Sequence, residues 1–280
     1  MRCPQCELTL DDAWRCAGGH AFSEVQGVRR LISPEFARML DPFLQAFAQY
    51  RHEREERMPE PALFPRLPEA GIDLDPGLWR LRVLDLQLVQ GHIGARQGLR
   101  VLDVGAWNGW LSHRLAAAGH LVTAVDVFTD PLDGLGAVVH YPANFRAIQC
   151  DQERLHLLDG PYDLIVAQRC MGYMVDIAKS IEQIRGLLAP GGSAILTGLN
   201  IFRRTGPIRA HFAQSATRFQ EQFGIPYFFK PVKGYLDLDD QYQLVTCGVE
   251  LVDQPGSGMT NLLSRPFPWK PVYRYGSFRK

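Results

Sequence analysis

The chain lacks the long hydrophobic run that a membrane span requires. Its 280 residues are 46% hydrophobic, yet no apolar stretch approaches the roughly eighteen residues of a transmembrane helix. Met1 is followed by Arg-Cys-Pro-Gln-Cys instead of the apolar core of a signal peptide. We therefore expect a cytoplasmic protein without membrane contacts, long enough for one large domain and a small appendage.

Net charge is also absent. The 30 Lys and Arg residues balance 30 Asp and Glu residues, so no overall field attracts nucleic acid or anionic membrane. We expect no DNA partner. The carboxyl-terminal stretch RPFPWKPVYRYGSFRK interleaves basic and aromatic residues, a mixture that binds single-stranded RNA by stacking and phosphate contact. An amphipathic edge strand explains that stretch equally well, and the sequence leaves the oligomeric state open.

A dinucleotide fingerprint is missing from the segment that otherwise looks most like a nucleotide site. Residues 101–126, VLDVGAWNGWLSHRLAAAGHLVTAVD, predict a strand, a tight loop, a helix and a second strand. Gly105 lets the loop backbone approach a ligand, and Asp126, about twenty residues after Asp103, can hold ribose hydroxyls. Trp107 stands where the fingerprint has its middle glycine, so a pyrophosphate fits poorly. The pattern favours a nucleoside without a diphosphate; a strand-turn-helix unit with no ligand is the alternative.

This segment resembles motif I of class I S-adenosylmethionine-dependent methyltransferases, whose usual form is D-x-G-x-G-x-G, with Trp107 departing at the central glycine. Three further matches follow in the family's order: Ile148–Asp151, the apolar run Tyr162–Gln168, and Leu187-Leu-Ala-Pro-Gly-Gly192. The resemblance covers about residues 99 to 200. It implies an α/β Rossmann-like fold with a mostly parallel central sheet, and S-adenosylmethionine as the cofactor.

The resemblance also implies a place for each part of that cofactor. Asp103, Gly105 and Gly109 would shape the methionine pocket. Asp126 would hold the ribose, and Asp151 would meet the adenine amine. The further residues expected to contact the cofactor are Ala106, Trp107, Asn108, Val127, Cys150 and Gln168.

No catalytic residue is assigned by these motifs. After the strand that ends at Gln168, the chain lacks both the Asn-Pro-Pro-Tyr sequence of amino-group methyltransferases and the Pro-Cys nucleophile of the cytosine-C5 type. Gln168, Tyr173, His113 and His211 are polar groups within reach of such a pocket, but packing and an ordinary hydrogen bond explain each of them as well. The leading prediction is methyl transfer to a small-molecule or RNA acceptor. The alternative is a non-catalytic binding module for a protein or nucleic acid, with Trp107 filling the methionine space.

A second cluster of functional residues lies at the amino terminus. Cys3 and Cys6 form a C-x2-C pair, and Cys16 with His20 forms a C-x3-H pair. These spacings suit a tetrahedral zinc site, with a disulfide or chance clustering as alternatives. The segment resembles the zinc ribbon of bacterial ribosomal RNA guanine-N1 methyltransferases over about thirty residues. That resemblance implies a structural Zn²⁺ and suggests the RNA acceptor.

The predicted domains are a zinc ribbon (1–32), a helical linker or lid (33–97), and a methyltransferase domain with carboxyl-terminal acceptor-site insertions (98–280). The linker predicts a helix from 34 to 50, a proline-rich break from 58 to 68, and a helix from about 77 to 97. A further helix is expected within 202–219 and a last strand near 271–278.

Four residues at the end of the first linker helix are candidates for binding the methionine carboxylate or an acidic acceptor: Tyr50, Arg51, His52 and Arg57. A solvated helix end, with Glu53 and Arg57 paired four residues apart, is the alternative interpretation.

Overall fold

A central β-sheet organises the part of the chain that the computed structural model describes, residues 1–264 and 266–280. Its strands are β1 (Glu24–Val25), β2 (Val28–Leu31), β3 (Arg100–Val104), β4 (Leu121–Asp126), β5 (Arg146–Cys150), β6 (Tyr162–Gln168), β7 (Leu188–Phe202), β8 (Leu236–Asp237), β9 (Glu250–Asp253) and β10 (Val272–Arg279). Their order is β1-β2-β5-β4-β3-β6-β7-β10-β9, with β8 beside β7. The strands from β2 to β7 pair in parallel, whereas β1, β10 and β9 are antiparallel to their neighbours.

Helices connect these strands. They are α1 (Pro34–Glu53), α2 (Pro76–Ile93), α3 (Trp110–Ala117), α4 (Ile177–Leu187), α5 (Gly206–Phe223), α6 (Leu238–Thr246) and α7 (Gly258–Ser264). Short 3-10 helices lie at Pro61–Arg66, Glu69–Asp73, Leu135–His140, Gln152–Leu157 and Met171–Tyr173. No helix within the described ranges is both long and apolar enough to cross a membrane.

The sheet is buried on both faces, as its strand sequences require. Along β6, Leu164 and Val166 belong to one hydrophobic cluster, while Ile165 and Ala167 belong to another. Successive side chains of a strand point to opposite faces, so the two clusters are the cores above and below the sheet. Near-continuous apolar strands are typical of parallel sheets covered on both sides. The predicted α/β Rossmann-like fold is confirmed.

The linker folds as helix, break and helix. The Ser33 hydroxyl accepts a hydrogen bond from the amide of Phe36 and caps α1, and the Asp75 carboxylate caps α2 in the same way through Leu78. Between them the prolines permit only the two 3-10 turns. Helix α1 packs its aromatic face against α5 and the loop after β4 in a third hydrophobic cluster, which sets α1 beside the carboxyl end of the sheet.

The amino-terminal segment is tied to the sheet as well as to itself. Isolated bridges hold it together locally, and its hairpin β1-β2 adds two strands through parallel pairing of β2 with β5. The amide of Arg2 donates to the Leu157 carbonyl at 2.7 Å, and the Arg154 side chain donates to the Pro4 carbonyl at 2.6 Å. The domain boundary at residue 32 stays a prediction, although the segment shares its core with the sheet.

The carboxyl-terminal region contains the helix predicted within 202–219, as α5, and the strand predicted near 271–278, as β10. The interpretation of the tail as an edge strand is wrong, because β10 lies between β7 and β9 and pairs with both. Arg265 of that tail lies outside the described residues.

Candidate functional site

A crevice opens at the carboxyl ends of the parallel strands, where β3 and β6 lie side by side. From β3 the chain continues to β4 on one side, and from β6 it continues to β7 on the other side. Ligands of open α/β sheets bind at such a point, where the strand order reverses. The crevice holds a cavity of about 390 Å³. Its lining residues are Phe43, Phe47, Arg51, Leu78, Arg82, Gly105, Trp107, Asp126, Val127, Phe128, Asp133, Gln152, Gln168, Arg169, Cys170, Tyr173, Tyr227, Phe228, Phe229, Lys230 and Val232.

Five of the predicted cofactor residues line this cavity: Gly105, Trp107, Asp126, Val127 and Gln168. The other six, Asp103, Ala106, Asn108, Gly109, Cys150 and Asp151, are not among its described lining residues. Five of these six are buried, and Asp151 is partly exposed.

The loop after β3 needs glycine at both ends. Gly105 has φ +70°, and a Cβ there would lie 2.6 Å from the Cβ of Cys170. Gly109 has φ +79°, and a Cβ there would lie 2.6 Å from the ring of Phe145. Both distances are too short for any other residue, and both backbones lie in the left-handed region that favours glycine. The two glycines therefore fix the path of the loop around the cavity.

Asp126 holds that loop from the end of β4. Its carboxylate accepts the amide of Trp107 at 2.8 Å through one oxygen and the amides of Val127 and Phe128 at 2.7 and 3.1 Å through the other. Burial raises the pKa of this carboxyl to about 6, and the three amide hydrogen bonds oppose that rise. Asp126 therefore presents a desolvated, oriented acceptor at the cavity wall.

Asp103 lies directly behind this wall and is completely buried. Its carboxylate accepts the Ser112 hydroxyl at 2.7 Å and the Gln168 side-chain amide at 3.4 Å. Burial, together with the charge of Asp126, raises the pKa of Asp103 to about 7, against the effect of those hydrogen bonds. Asp103 thus orients Gln168, which does reach the cavity.

Trp107 forms one wall of the cavity, so the bulky side chain coexists with an open space. Its ring stacks on Trp79 with centroids 5.6 Å apart, and its indole N–H donates to Asp133 at 2.8 Å. Trp107 itself has φ +51°, an unusual backbone conformation for a residue with a side chain. The structure thus fixes the ring against α2.

Of the four candidates at the end of α1, only Arg51 is among the described lining residues. Its guanidinium pairs with Asp133 and with Glu56. Arg57 instead forms two hydrogen bonds with Asp130, at 2.6 and 2.7 Å. The alternative pairing of Glu53 with Arg57 is wrong, because Arg57 pairs with Asp130 while the Glu53 carboxylate accepts hydrogen bonds from Gln49 and Gln222.

The region after β5 is joined to the segment after α5 by an ion pair. Lys230 pairs with Asp151, and the Asp151 carboxylate also accepts the amide of Glu153 at 2.9 Å. Gln152 and Lys230 reach the cavity. Cys150 is buried beneath them, where desolvation raises the pKa of its thiol to about 12. The adenine role of Asp151 stays a prediction.

The polar candidates for catalysis are dispersed. Tyr173 lines the cavity and is half exposed. His113 is buried, stacks on Tyr141 with centroids 4.7 Å apart, and has a pKa lowered by desolvation. His211 lies on the exposed side of α5. The two histidines are not among the described lining residues, which favours their structural interpretation.

Sequence reasoning assigned no role to Arg82 and Arg169, which both line the cavity. The Arg82 guanidinium lies 4.6 Å from the centroid of the Trp107 ring, and the Nε of Arg169 donates to Asp85 at 2.6 Å. The backbone of Arg169 has φ +53°. In the sequence, only the place of Arg169 directly after the motif strand pointed to a functional role. Its partner Asp85 lies 84 residues earlier in the chain, in a segment without such a motif.

The four predicted zinc ligands come together at the amino terminus. The Nδ1 of His20 lies 3.4 Å from the Sγ of Cys3, 3.5 Å from that of Cys6 and 3.4 Å from that of Cys16, and the thiols of Cys6 and Cys16 are 3.6 Å apart. All four ligand atoms lie within 4.8 Å of one another. Tetrahedral zinc with bonds of about 2.0–2.3 Å separates its ligands by roughly 3.3–3.8 Å.

Comparisons with known proteins agree with the fold. Residues 101–192 match the family model described as "Methyltransferase domain". A ubiquinone biosynthesis O-methyltransferase of Acinetobacter baylyi is 30% identical over 126 residues, which is 44% of this chain and 53% of that protein. The protein of the same name from Shewanella halifaxensis is 27% identical over 130 residues, with the same two shares. The chain thus spans about half the length of the curated relatives that it matches.

A solved structure covers more of the chain at lower identity. The 1,6-didemethyltoxoflavin-N1-methyltransferase of Burkholderia thailandensis aligns with 93% of this chain and 94% of its own, at 18% identity and a TM-score of 0.48. The family match over residues 101–192 coincides with the parallel strands from β3 to β6 and the crevice at their ends. Residues 101–192 are therefore similar to a methyltransferase domain.

Proposed function

We propose that the protein transfers a methyl group from S-adenosylmethionine to a small-molecule acceptor. The observation that carries this proposal is the oriented carboxylate of Asp126 beside the glycine-bounded loop, both on the wall of a cavity of about 390 Å³. In this arrangement Asp126 binds the ribose hydroxyls, the loop from Gly105 receives the methionine part, and Val127 and Phe128 contact the adenine. The family match over the same segment supports this assignment.

The residues present explain how such a site would work. S-adenosylmethionine supplies a methyl group already attached to a sulfonium leaving group, and its transfer is an in-line displacement. The protein's part is therefore to orient the acceptor and to exclude water. Gln168, held by Asp103, reaches the cavity and is placed to position an acceptor by hydrogen bonding. Aromatic side chains from α1 and from residues 227–229 cover the crevice and restrict water.

A small molecule fits the site better than RNA does. The cavity is enclosed largely by apolar side chains, and the relatives carry the name ubiquinone biosynthesis O-methyltransferase. The tail that suggested RNA binding contributes the interior strand β10, so its backbone is already paired on both sides.

We also propose that Cys3, Cys6, Cys16 and His20 bind a structural zinc ion. Four of their six mutual distances are 3.4 to 3.6 Å, and all six are within 4.8 Å, which suits a tetrahedral ligand set. The two pairs arise from separate turns of one short segment. A Cβ at Gly18 would lie 3.3 Å from the Sγ of Cys6, so the backbone passes close to the ligand atoms. Four protein ligands leave no open position for catalysis, and so the ion would stabilise the fold.

Calorimetric titration with S-adenosylmethionine and with S-adenosylhomocysteine tests the main proposal. Micromolar binding of both is expected, and acceptor screening with small molecules and RNA would follow. Absence of heat across several temperatures, from protein with an intact circular dichroism spectrum, would instead favour the non-catalytic binding module.

A further inference from the structure

Two arginines, Arg82 and Arg169, line the crevice, and one of them pairs with a buried carboxylate. Arg169 pairs with the buried Asp85, which also accepts the side-chain amide of Gln254 at 3.3 Å. No ion pair found within residues 1–264 and 266–280 includes Arg82. Desolvation, followed by the charge of Arg169, lowers the pKa of Arg82 to about 9, so the guanidinium stays charged at neutral pH. This end of the crevice therefore carries an excess positive charge.

Both guanidiniums also keep unused hydrogen-bond donors. The Nε of Arg82 and one terminal nitrogen of Arg169 are buried without a hydrogen-bond partner among the described residues. A buried donor without a partner costs free energy, and a buried charge without a counter-charge costs more. An anion in the adjoining cavity, which both arginines line, would supply the missing counter-charge.

The position of the pair separates it from the nucleoside part of the site. Asp126 ends β4 and Arg169 follows β6, and β3 lies between these two strands. Arg169 is also the residue after Gln168, on the side from which we propose that the acceptor approaches. Arg169 therefore lies on the acceptor side of the crevice, while the Arg82 guanidinium, which supplies the uncompensated charge, lies over the Trp107 ring.

The aromatic rings around the two arginines indicate what the uncharged part of the ligand is. The Arg82 guanidinium lies over the rings of Trp79 and Trp107, at 5.1 and 4.6 Å from their centroids. Eight of the cavity's lining residues are aromatic. Flat aromatic walls offer stacking and edge contacts to a planar ligand, while the arginines offer charge-assisted hydrogen bonds to a carboxylate.

We infer that Arg82 and Arg169 form an acceptor subsite for a carboxylate, and that the methyl acceptor is an aromatic carboxylic acid. This inference rests on the proposed methyl transfer, since it assigns the half of the crevice that the cofactor leaves free.

Titration calorimetry on protein saturated with S-adenosylhomocysteine tests the subsite. The probes are 4-hydroxybenzoate and its neutral partner 4-hydroxybenzamide, which differ mainly in charge. We expect the benzoate to bind at least about tenfold more tightly than the amide. Arg82→Gln should remove that preference while leaving the affinity for S-adenosylhomocysteine unchanged. Arg80→Gln, on the exposed face of the same helix, is the matched control and should bind both probes like the parent.

Three results would overturn the inference. Equal affinity for the two probes would exclude a carboxylate subsite, and so would the absence of saturable binding by either probe. If Arg82→Gln weakened the binding of S-adenosylhomocysteine as much as that of the benzoate, the guanidinium would be assigned to the cofactor's own carboxylate. Failure of the parent protein to bind S-adenosylhomocysteine would reject the proposed function itself, and this result is visible before either probe is added.

Discussion

The chain has two candidate binding centres, and they differ in how completely the protein satisfies its own polar groups. In the amino-terminal cluster, four ligand atoms lie within 4.8 Å of one another, and four of their six distances are 3.4 to 3.6 Å. In the crevice, by contrast, Asp126 is oriented by three amides, while Arg82 and Arg169, which line the cavity, each retain a buried unpaired donor. Polar groups that are fully satisfied by one another and a metal stabilise the fold. Polar groups left unsatisfied beside a cavity are available to bind a ligand. The two centres should therefore respond to different perturbations.

Cys16→Ser should produce the largest difference between the responses of the two centres. Loss of one thiolate should abolish stoichiometric zinc and lower the melting temperature by several degrees, because binding free energy at a structural zinc site is folding free energy. The affinity for S-adenosylhomocysteine should change little. Metal analysis after dialysis, thermal melting and calorimetry give the three readouts. Cys247→Ser, outside the cluster, is the control. Full zinc retention in Cys16→Ser would contradict the zinc proposal.

Asp126→Ala should give the converse result. We expect the affinity for S-adenosylhomocysteine to fall about ten- to a hundredfold, or roughly 1.5 to 3 kcal/mol, from loss of a charge-assisted ribose contact. Zinc content should stay as in the parent. Asp126→Asn removes the charge and keeps only one of the two oxygens that accept the loop amides, so its effect should lie between those of the parent and the alanine variant. An unchanged affinity in the alanine variant would remove Asp126 from this role.

The pH dependence of cofactor binding should report on Asp126. Its pKa is raised to about 6, so the carboxyl gains a proton as the pH falls through 6 and becomes a poorer acceptor for ribose hydroxyls. Affinity for S-adenosylhomocysteine should be constant well above pH 6 and fall at most about tenfold per pH unit below it. Calorimetry between pH 5 and 8 measures this dependence. Its persistence in Asp126→Asn would assign it to another group.

The contribution of Asp126 and Asp103 to the free energy of unfolding should change in the opposite direction, increasing as the pH falls. A carboxyl whose pKa is raised in the folded protein binds its proton more tightly there than in the unfolded chain. Protonation of Asp126 and Asp103, with pKa values of about 6 and 7, therefore favours the folded state as the pH falls toward the ordinary value of 3.8. If the affinity for S-adenosylhomocysteine falls with pH while the contribution of these two groups to stability does not fall, then their titration, and not acid unfolding, causes the loss of binding.

The smallest expected effect is that of Trp107→Phe. The change keeps an aromatic wall beside Trp79 but removes the indole donor to Asp133, which retains its pairing with Arg51. We expect a loss of about 0.5 to 1.5 kcal/mol in the free energy of unfolding and a cofactor affinity within a few-fold of the parent. Urea unfolding measures the first quantity. Trp269→Phe, in the exposed tail, is the matched control. Tighter cofactor binding in Trp107→Phe would indicate that the indole obstructs the site.

The features that could be predicted from sequence are local ones. The path from Gly105 to Gly109 and the placement of Asp126 follow from one strand-loop-helix-strand segment, and the four cluster residues lie within eighteen positions of one another. Their geometry is set by neighbouring backbone, which a pattern of residues describes well. The same holds for the helix, break and helix of the linker.

The features that escaped prediction depend on distant partners. Asp85 meets Arg169 across 84 positions and Gln254 across 169, and Lys230 meets Asp151 across 79. No periodicity records such contacts, because each residue is an ordinary surface-type residue within its own segment. The tail was misplaced at an edge for the same reason, since its second neighbour β9 is identified only by the assembled sheet.

The pairing of β2 with β5 gives the amino-terminal cluster a significance beyond its own stability. Without the hairpin, β5 would be the outermost strand and would present a row of free amides and carbonyls to other molecules. The hairpin replaces that edge with the two-residue strand β1, which is exposed and begins with Glu24, the short and charged kind of edge that resists intermolecular pairing. Unfolding of this hairpin would therefore first appear as self-association of the protein in solution.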